Sequence, residues 1–162
     1  MLKKNIADEL NQQLNRELHS SYIYLGMAVY CDSRSLDGFA HWLQLQAKEE
    51  FSHAMKIYGY LKDMAAEVTL YEVPKAAVKF ASLTEVFEKT AEHERFITES
   101  LNKIATMALE EKDLVTYAFL DWFLKEQIEE MATAAGILEK VKLVGDSGTG
   151  VYALNAELGR RA

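Results

Sequence analysis

Four glutamates, a histidine and a glutamine stand where apolar residues belong. Read at helical spacing, the chain carries four long apolar stripes, and each is broken near its middle. The first runs Leu10, Leu14, Glu17, Ser21, Tyr24, Ala28, and the second Phe39, Leu43, Gln46, Glu50, His53, Ile57, Tyr60, Met64. The third runs Leu83, Phe87, Thr90, Glu94, Ile97, Leu101, Ile104, Ala108, and the fourth Thr116, Leu120, Phe123, Gln127, Glu130, Ala134, Ile137, Val141. Glu17 and Glu50 lie 33 residues apart, and so do Glu94 and Gln127. The two halves of the chain thus repeat one pattern: a lone Glu on one helix, then a pair three residues apart on the next, Glu50 with His53 and Gln127 with Glu130. Packed as a bundle, these side chains converge at one height.

A buried carboxylate without a partner costs several kcal/mol, and neighbouring carboxylates push one another's pKa upward. No Lys or Arg stands on these stripes, so the compensating charge is most simply a metal ion. Oxygen-rich ligands with a single imidazole suit iron or manganese better than a thiolate-type zinc site. Any one polar residue on such a seam could serve only to set register, and a lone His could be a satisfied core residue. Their coincidence at one height favours a metal site. Glu49, Glu126 and Glu129 flank it, either as a solvated acidic face or as a third, looser metal position that shares Glu130. Tyr24, two turns beyond Glu17 on the same face, reads as core packing with a satisfied hydroxyl or as a partner of the site. Trp122 reads as packing, and His19, His41 and His93 fall off the stripes as surface or interface residues.

The elements that must position these groups are long helices. A single proline in 162 residues, with 49% hydrophobic and 27% charged residues, favours uninterrupted helix. The periodicity predicts helices near residues 3–32, 37–65, 83–110 and 113–143. The first link is residues 33–36 with Asp37 as N-cap, and the third is a charged turn at Glu111 and Lys112 with Asp113 as cap. Both are short, so helices one and two, and three and four, should be antiparallel neighbours. The middle link, residues 66–82, holds Pro74 and the alternating stretch Val68–Val73. Extended, it reaches roughly 55 Å, more than the roughly 42 Å of a helix as long as the third. It can therefore cross the whole bundle and leave helices two and three parallel.

After helix four a glycine-rich break at residues 145–150 precedes a short segment, about 150–159, with Val151, Leu154 and Leu158 on one face. So short a helix is not stable alone, and its apolar face is expected against symmetry mates of an assembly. The expected fold is all-α: a four-helix bundle over 3–143 with one long crossover between helices two and three and a short C-terminal fifth helix, one domain across 1–162. A net charge of −7 argues against nucleic-acid or anionic-membrane partners. No stretch approaches the roughly 18 apolar residues of a membrane span. Cys31, the one cysteine, has no intrachain partner for a disulfide, and the chain reads as cytoplasmic.

With these residues in view, the chain resembles a prokaryotic non-haem ferritin along essentially its whole length. The likeness is carried by LNRELHSSYIYL around Glu17 and Tyr24, FAHWLQLQAKEEFSHAMKIYGYL around Glu50 and His53, EHERFITESL around Glu94, and FLKEQIEEM around Gln127 and Glu130. Di-iron bundles of this type take a Glu from each of two helices and a Glu-x-x-His from each of the others; here the second pair is Gln-x-x-Glu, which opens one metal position. The resemblance implies oxidation of two Fe²⁺ by O₂ or H₂O₂ and storage of the ferric product in a hollow homo-oligomeric shell of 24 subunits. It implies that Glu17, Glu50 and His53 hold one iron and Glu50, Glu94 and Glu130 a second, Glu50 bridging and Gln127 beside them. It gives Tyr24 a bond to a ligand and a part in electron supply. Bacterioferritins place a second Glu-x-x-His and a haem-ligating Met where this chain has Gln127, Glu130 and Phe51, so no haem is expected. The alternative is a non-storage di-iron oxidase or peroxidase of the same fold, which would not need residues 146–162.

Overall fold

The computed structural model describes residues 2–162. Five helices follow in order: α1 (Lys4–Asp32), α2 (Asp37–Asp63), α3 (Leu83–Glu110), α4 (Leu114–Val144) and α5 (Gly148–Leu158). The stripes are the buried faces. On α4 the buried residues are those of its stripe and no others. On the other helices the stripe residues are likewise buried, except Ser21, Tyr60, Met64 and Leu83, which are half-buried.

The helix ends show how local chemistry sets the elements. Ser82 caps α3 by accepting from Glu85 N, and Asp113 caps α4 by accepting from Thr116 N at 3.0 Å. α2 stops at Asp63, two residues before the expected 65, because Ala65 turns into the left-handed region at φ 52°. The expected cap at Asp37 is corrected: Asp37 is the first residue of α2, and Leu36 at the cap position offers no side-chain oxygen. The acceptor comes from the far end of the chain. Asn155 Oδ1 of α5 accepts from Gly38 N at 2.9 Å and from Phe39 N at 3.1 Å.

Directions follow from the contacts. α2 pairs Gln46 with Glu130 and Tyr60 with Thr116 of α4, so these two helices run oppositely. The three-residue turn between α3 and α4 makes those antiparallel as well, and α2 and α3 are therefore parallel. The crossover that this requires lies along α1 in extended form, without strand pairing among the described residues. Two asparagines one turn apart hold it there. Asn11 donates to Glu67 O and accepts from Thr69 N, and Asn15 donates to Thr69 O and accepts from Tyr71 N, all at 2.7–2.9 Å. Each amide thus offers the extended chain what a neighbouring strand would.

The tail departs from expectation. α5 begins at Gly148, with Ser147 as its cap, and takes the last glycines of the expected break into its first turn. Leu154 and Leu158 are buried, but inside this chain rather than against a symmetry mate: they join the core at the end of the bundle with Phe39, Trp42 and Val141. A Cβ at Gly38 would overlap the Asn155 carbonyl, so the missing side chain lets α5 sit on the start of α2. Among the described residues the apolar core forms two clusters. One lies at the α5 end, around Tyr24, Phe39 and Phe87, and the other at the opposite end, around Leu10, Ile57, Ile104 and Leu120. Between them lies a polar belt.

Candidate metal centre

The belt consists of the residues that interrupt the stripes. α1 presents Glu17, α2 Glu50 and His53, α3 Glu94, and α4 Gln127 and Glu130, all buried. Glu17, Glu50 and His53 each offer a ligand atom within 4.8 Å of the others, and so do Glu50, Glu94 and Glu130. Glu50 belongs to both groups. One Glu17 oxygen accepts from Gln13 Nε2 at 2.7 Å, while its Oε2 is buried with no hydrogen-bond partner. A buried oxygen without a partner, on a carboxylate grouped with two more ligand residues, fits a cation in that position.

The electrostatics say the same. Burial, then the charge of Glu50, pushes the Glu17 carboxyl well above the usual carboxylate range. Burial and the Glu50 charge also raise Glu94 to about 7, and burial with Glu94, Glu50 and Glu49 raises Glu130 to about 8. Glu50 goes the other way. Burial works against its charge, but the pairing with His53 and the bond from Gln46 outweigh it and hold the carboxyl below its ordinary value. His53 Nδ1 lies 3.3 Å from Glu50, and this pairing outweighs burial and lifts the imidazole. Without a cation the belt therefore holds protons, and a divalent ion entering it displaces them.

The remaining predicted residues surround these groups. Tyr24 is fully buried and its hydroxyl donates to Glu94 Oε1, which fits both readings of that residue. Gln127 Nε2 donates to Glu94 Oε2 at 3.1 Å and to Thr98 Oγ1 at 3.1 Å, so it holds a carboxylate in place. Trp122 meets the His53 ring edge-on at 5.4 Å. Glu49, His53, Glu126 and Glu130 form a further group of ligand atoms within 4.8 Å of one another. Glu129 is exposed and lies outside that group, though it lines the same cavity. His93, expected as a surface or interface residue, is half-buried: its Nε2 lies 2.7 Å from Ser20 Oγ and its ring stands edge-on to Tyr24 at 5.9 Å.

Two participants are not apparent from sequence alone. Gln46 stands on the second stripe, yet its part emerges only in the packed bundle: its amide donates to Glu50 Oε1 at 3.0 Å and Glu130 Oε2 at 2.8 Å. Arg161, beyond α5, reaches Glu49 and Gln46, and nothing near it in sequence signals this.

Comparison with known proteins places this geometry. A sequence model of the ferritin-like domain matches residues 7–144. The bacterial non-heme ferritin of Campylobacter jejuni is 43% identical over 152 residues, 94% of this chain and 91% of the relative. A bacterial non-heme ferritin of Staphylococcus aureus is 37% identical over 99% of this chain and 97% of its own length. Among solved structures, the open-pore ferritin of the archaeon Archaeoglobus fulgidus superposes with a TM-score of 0.98 at 38% identity, over 99% of this chain and 98% of that one. A bundle of this topology with buried carboxylates at its centre, matched to such relatives nearly end to end, belongs to the ferritin family.

Proposed function

We propose that this ferritin oxidises Fe²⁺ to Fe³⁺ at the buried belt and keeps the product as mineral inside a closed shell of identical subunits, 24 by its resemblance. The observation that carries the reading is the sharing of Glu50 between two buried ligand groups, one of which holds an orphan oxygen. Glu17, Glu50 and His53 take one Fe²⁺ and Glu50, Glu94 and Glu130 the other, while Tyr24 and Gln127 fix Glu94. Each iron gives up one electron; O₂ takes both with two protons and leaves as H₂O₂, or H₂O₂ takes both with two protons and leaves as water. Holding both ions on one carboxylate lets the two electrons leave together. Glu49 and Glu126 add a third, looser iron position that shares Glu130, with Glu129 in the wall of the same cavity.

Assembly is supported by an apolar face on the outside of the α1/α2 hairpin, where Tyr22, Leu25, Val29, Phe51, Met55 and Tyr58 are exposed. The exposed Leu70, Tyr71 and Val73 of the crossover would add to contacts between copies. Among the described residues no helix is long and apolar enough to cross a membrane, and the cytoplasm is the proposed location. Stopped-flow oxidation of Fe²⁺ tests the centre. Glu50→Ala should lose the rapid phase by at least about 100-fold while keeping its helical content, because it removes a ligand from both groups. A wild-type rate in that variant would reject the assignment.

A further inference from the structure

The acidic cavity beside the belt already has a cationic group in it. Arg161 Nη2 lies 2.5 Å from Glu49 Oε2, Nη1 donates to Gln46 Oε1 at 2.9 Å and to Trp42 O at 3.4 Å, and the guanidinium lies over the Trp42 ring at 4.9 Å. The main chain is tied down as well, with Arg161 O 2.8 Å from His41 Nε2. A side chain held by a carboxylate, an amide, a carbonyl and an aromatic face, on a backbone that is itself anchored, is a placed group rather than a casual surface pair. Among the described residues it is the one cation within ion-pair distance of Glu49.

We propose that Arg161 is the resident counter-ion of this cavity, and that a divalent metal binds at Glu49, Glu126 and Glu130 only by displacing its guanidinium. The inference rests on the reading of these residues as a third metal position. Glu49 is needed by both cations, since its ligand atom belongs to the group with His53, Glu126 and Glu130. Arg161 neutralises Glu49 while the position is empty and repels a second cation that approaches it. Binding there is thereby made weak and reversible, as suits an ion in passage. The belt itself keeps its support, because Gln46 donates to Glu50 and Glu130 through its amide and meets Arg161 only through its carbonyl oxygen.

The test is anaerobic equilibrium dialysis of Zn²⁺ against the assembled, metal-free protein, with bound ions counted per subunit. Wild type is expected to bind two ions tightly and a third more weakly. Arg161→Gln should tighten the third by roughly two- to fivefold and leave the first two unchanged, Arg161→Lys should keep it weak, and adding Glu49→Gln to Arg161→Gln should remove the gain. A third ion whose affinity is unchanged or lower in Arg161→Gln overturns the proposal and leaves the third position standing. A count of two in every variant removes the third position, and the proposal with it. Should Arg161→Gln not assemble, Zn²⁺-soaked crystals of the wild type decide. The guanidinium must have left Glu49 wherever zinc sits on that carboxylate, and zinc bound there with the pair intact overturns the proposal.

Discussion

Glu50 and Glu130 are both buried carboxylates on facing helices, yet one is held charged and the other protonated, and the difference lies in their partners. Glu50 has His53 beside it, while Glu130 faces Glu94, Glu50 and Glu49. This sets the pH dependence of the metal-free protein. Glu94 and Glu130 are raised from 4.5 to about 7 and about 8, so between those values the folded state binds more protons than the unfolded one, and stability falls as pH rises through the window. His53 adds to the same trend, since its raised pKa stabilises the fold below the unfolded value of 6.5 and that gain is lost at higher pH. Glu50, already ionised, contributes nothing to the slope there. Metal-free protein should therefore melt at a higher temperature near pH 6 than near pH 8.5, with a shallower slope in Glu130→Gln. Equal slopes in the two proteins would mean that Glu130 is not protonated in the folded state. The residue types and their spacing gave away the belt, because six polar groups on four apolar stripes have no packing explanation. Which carboxylate stays charged was hidden, since that depends on distances across helices.

At the scale of elements, what periodicity and local caps determine was legible, and what one distant segment does to another was not. The helix boundaries fall within about two residues of the 3.6-residue reading. Asp113 is visible as a cap because its acceptor serves its own helix. Asn155 is invisible because it serves a helix more than a hundred residues earlier in the chain. Likewise Asn11 and Asn15 look like ordinary polar residues until the crossover is laid across them. Asn155→Ala should cost roughly 1–2 kcal/mol, since it leaves the Gly38 and Phe39 amides without their acceptor. Asn155→Asp keeps an acceptor and should recover most of that. Denaturant midpoints compare the three, and an alanine variant as stable as wild type would show that water satisfies the α2 amides.

For the whole molecule, the burial of Leu154 and Leu158 within the chain moves the argument for assembly away from the tail. The exposed stripe on α1 and α2 takes its place. Phe51 stands 52% exposed beside Leu25, in a shallow cavity shared by the two helices. Phe51→Glu should put a charge in the middle of that contact and shift the protein to smaller species, read by native mass spectrometry or light scattering. An intact shell in this variant would move the contact to another face.

The repeat of the two hairpins also bears on how the protein is made. Glu17, Glu50, His53 and the part of the crossover held by Asn11 and Asn15, residues 67–71, all precede residue 72, whereas Glu94 and Glu130 come later. At translation rates of about 5–20 residues per second, roughly 3 to 12 seconds separate the emergence of residue 71 from that of residue 130. During that interval a nascent chain owns ligands for one ion but lacks the full set of α3 and α4 carboxylates, Glu94 and Glu130, that completes the second group. A lone hairpin can capture a metal but cannot pair it, so two-electron chemistry has to wait until the second hairpin docks.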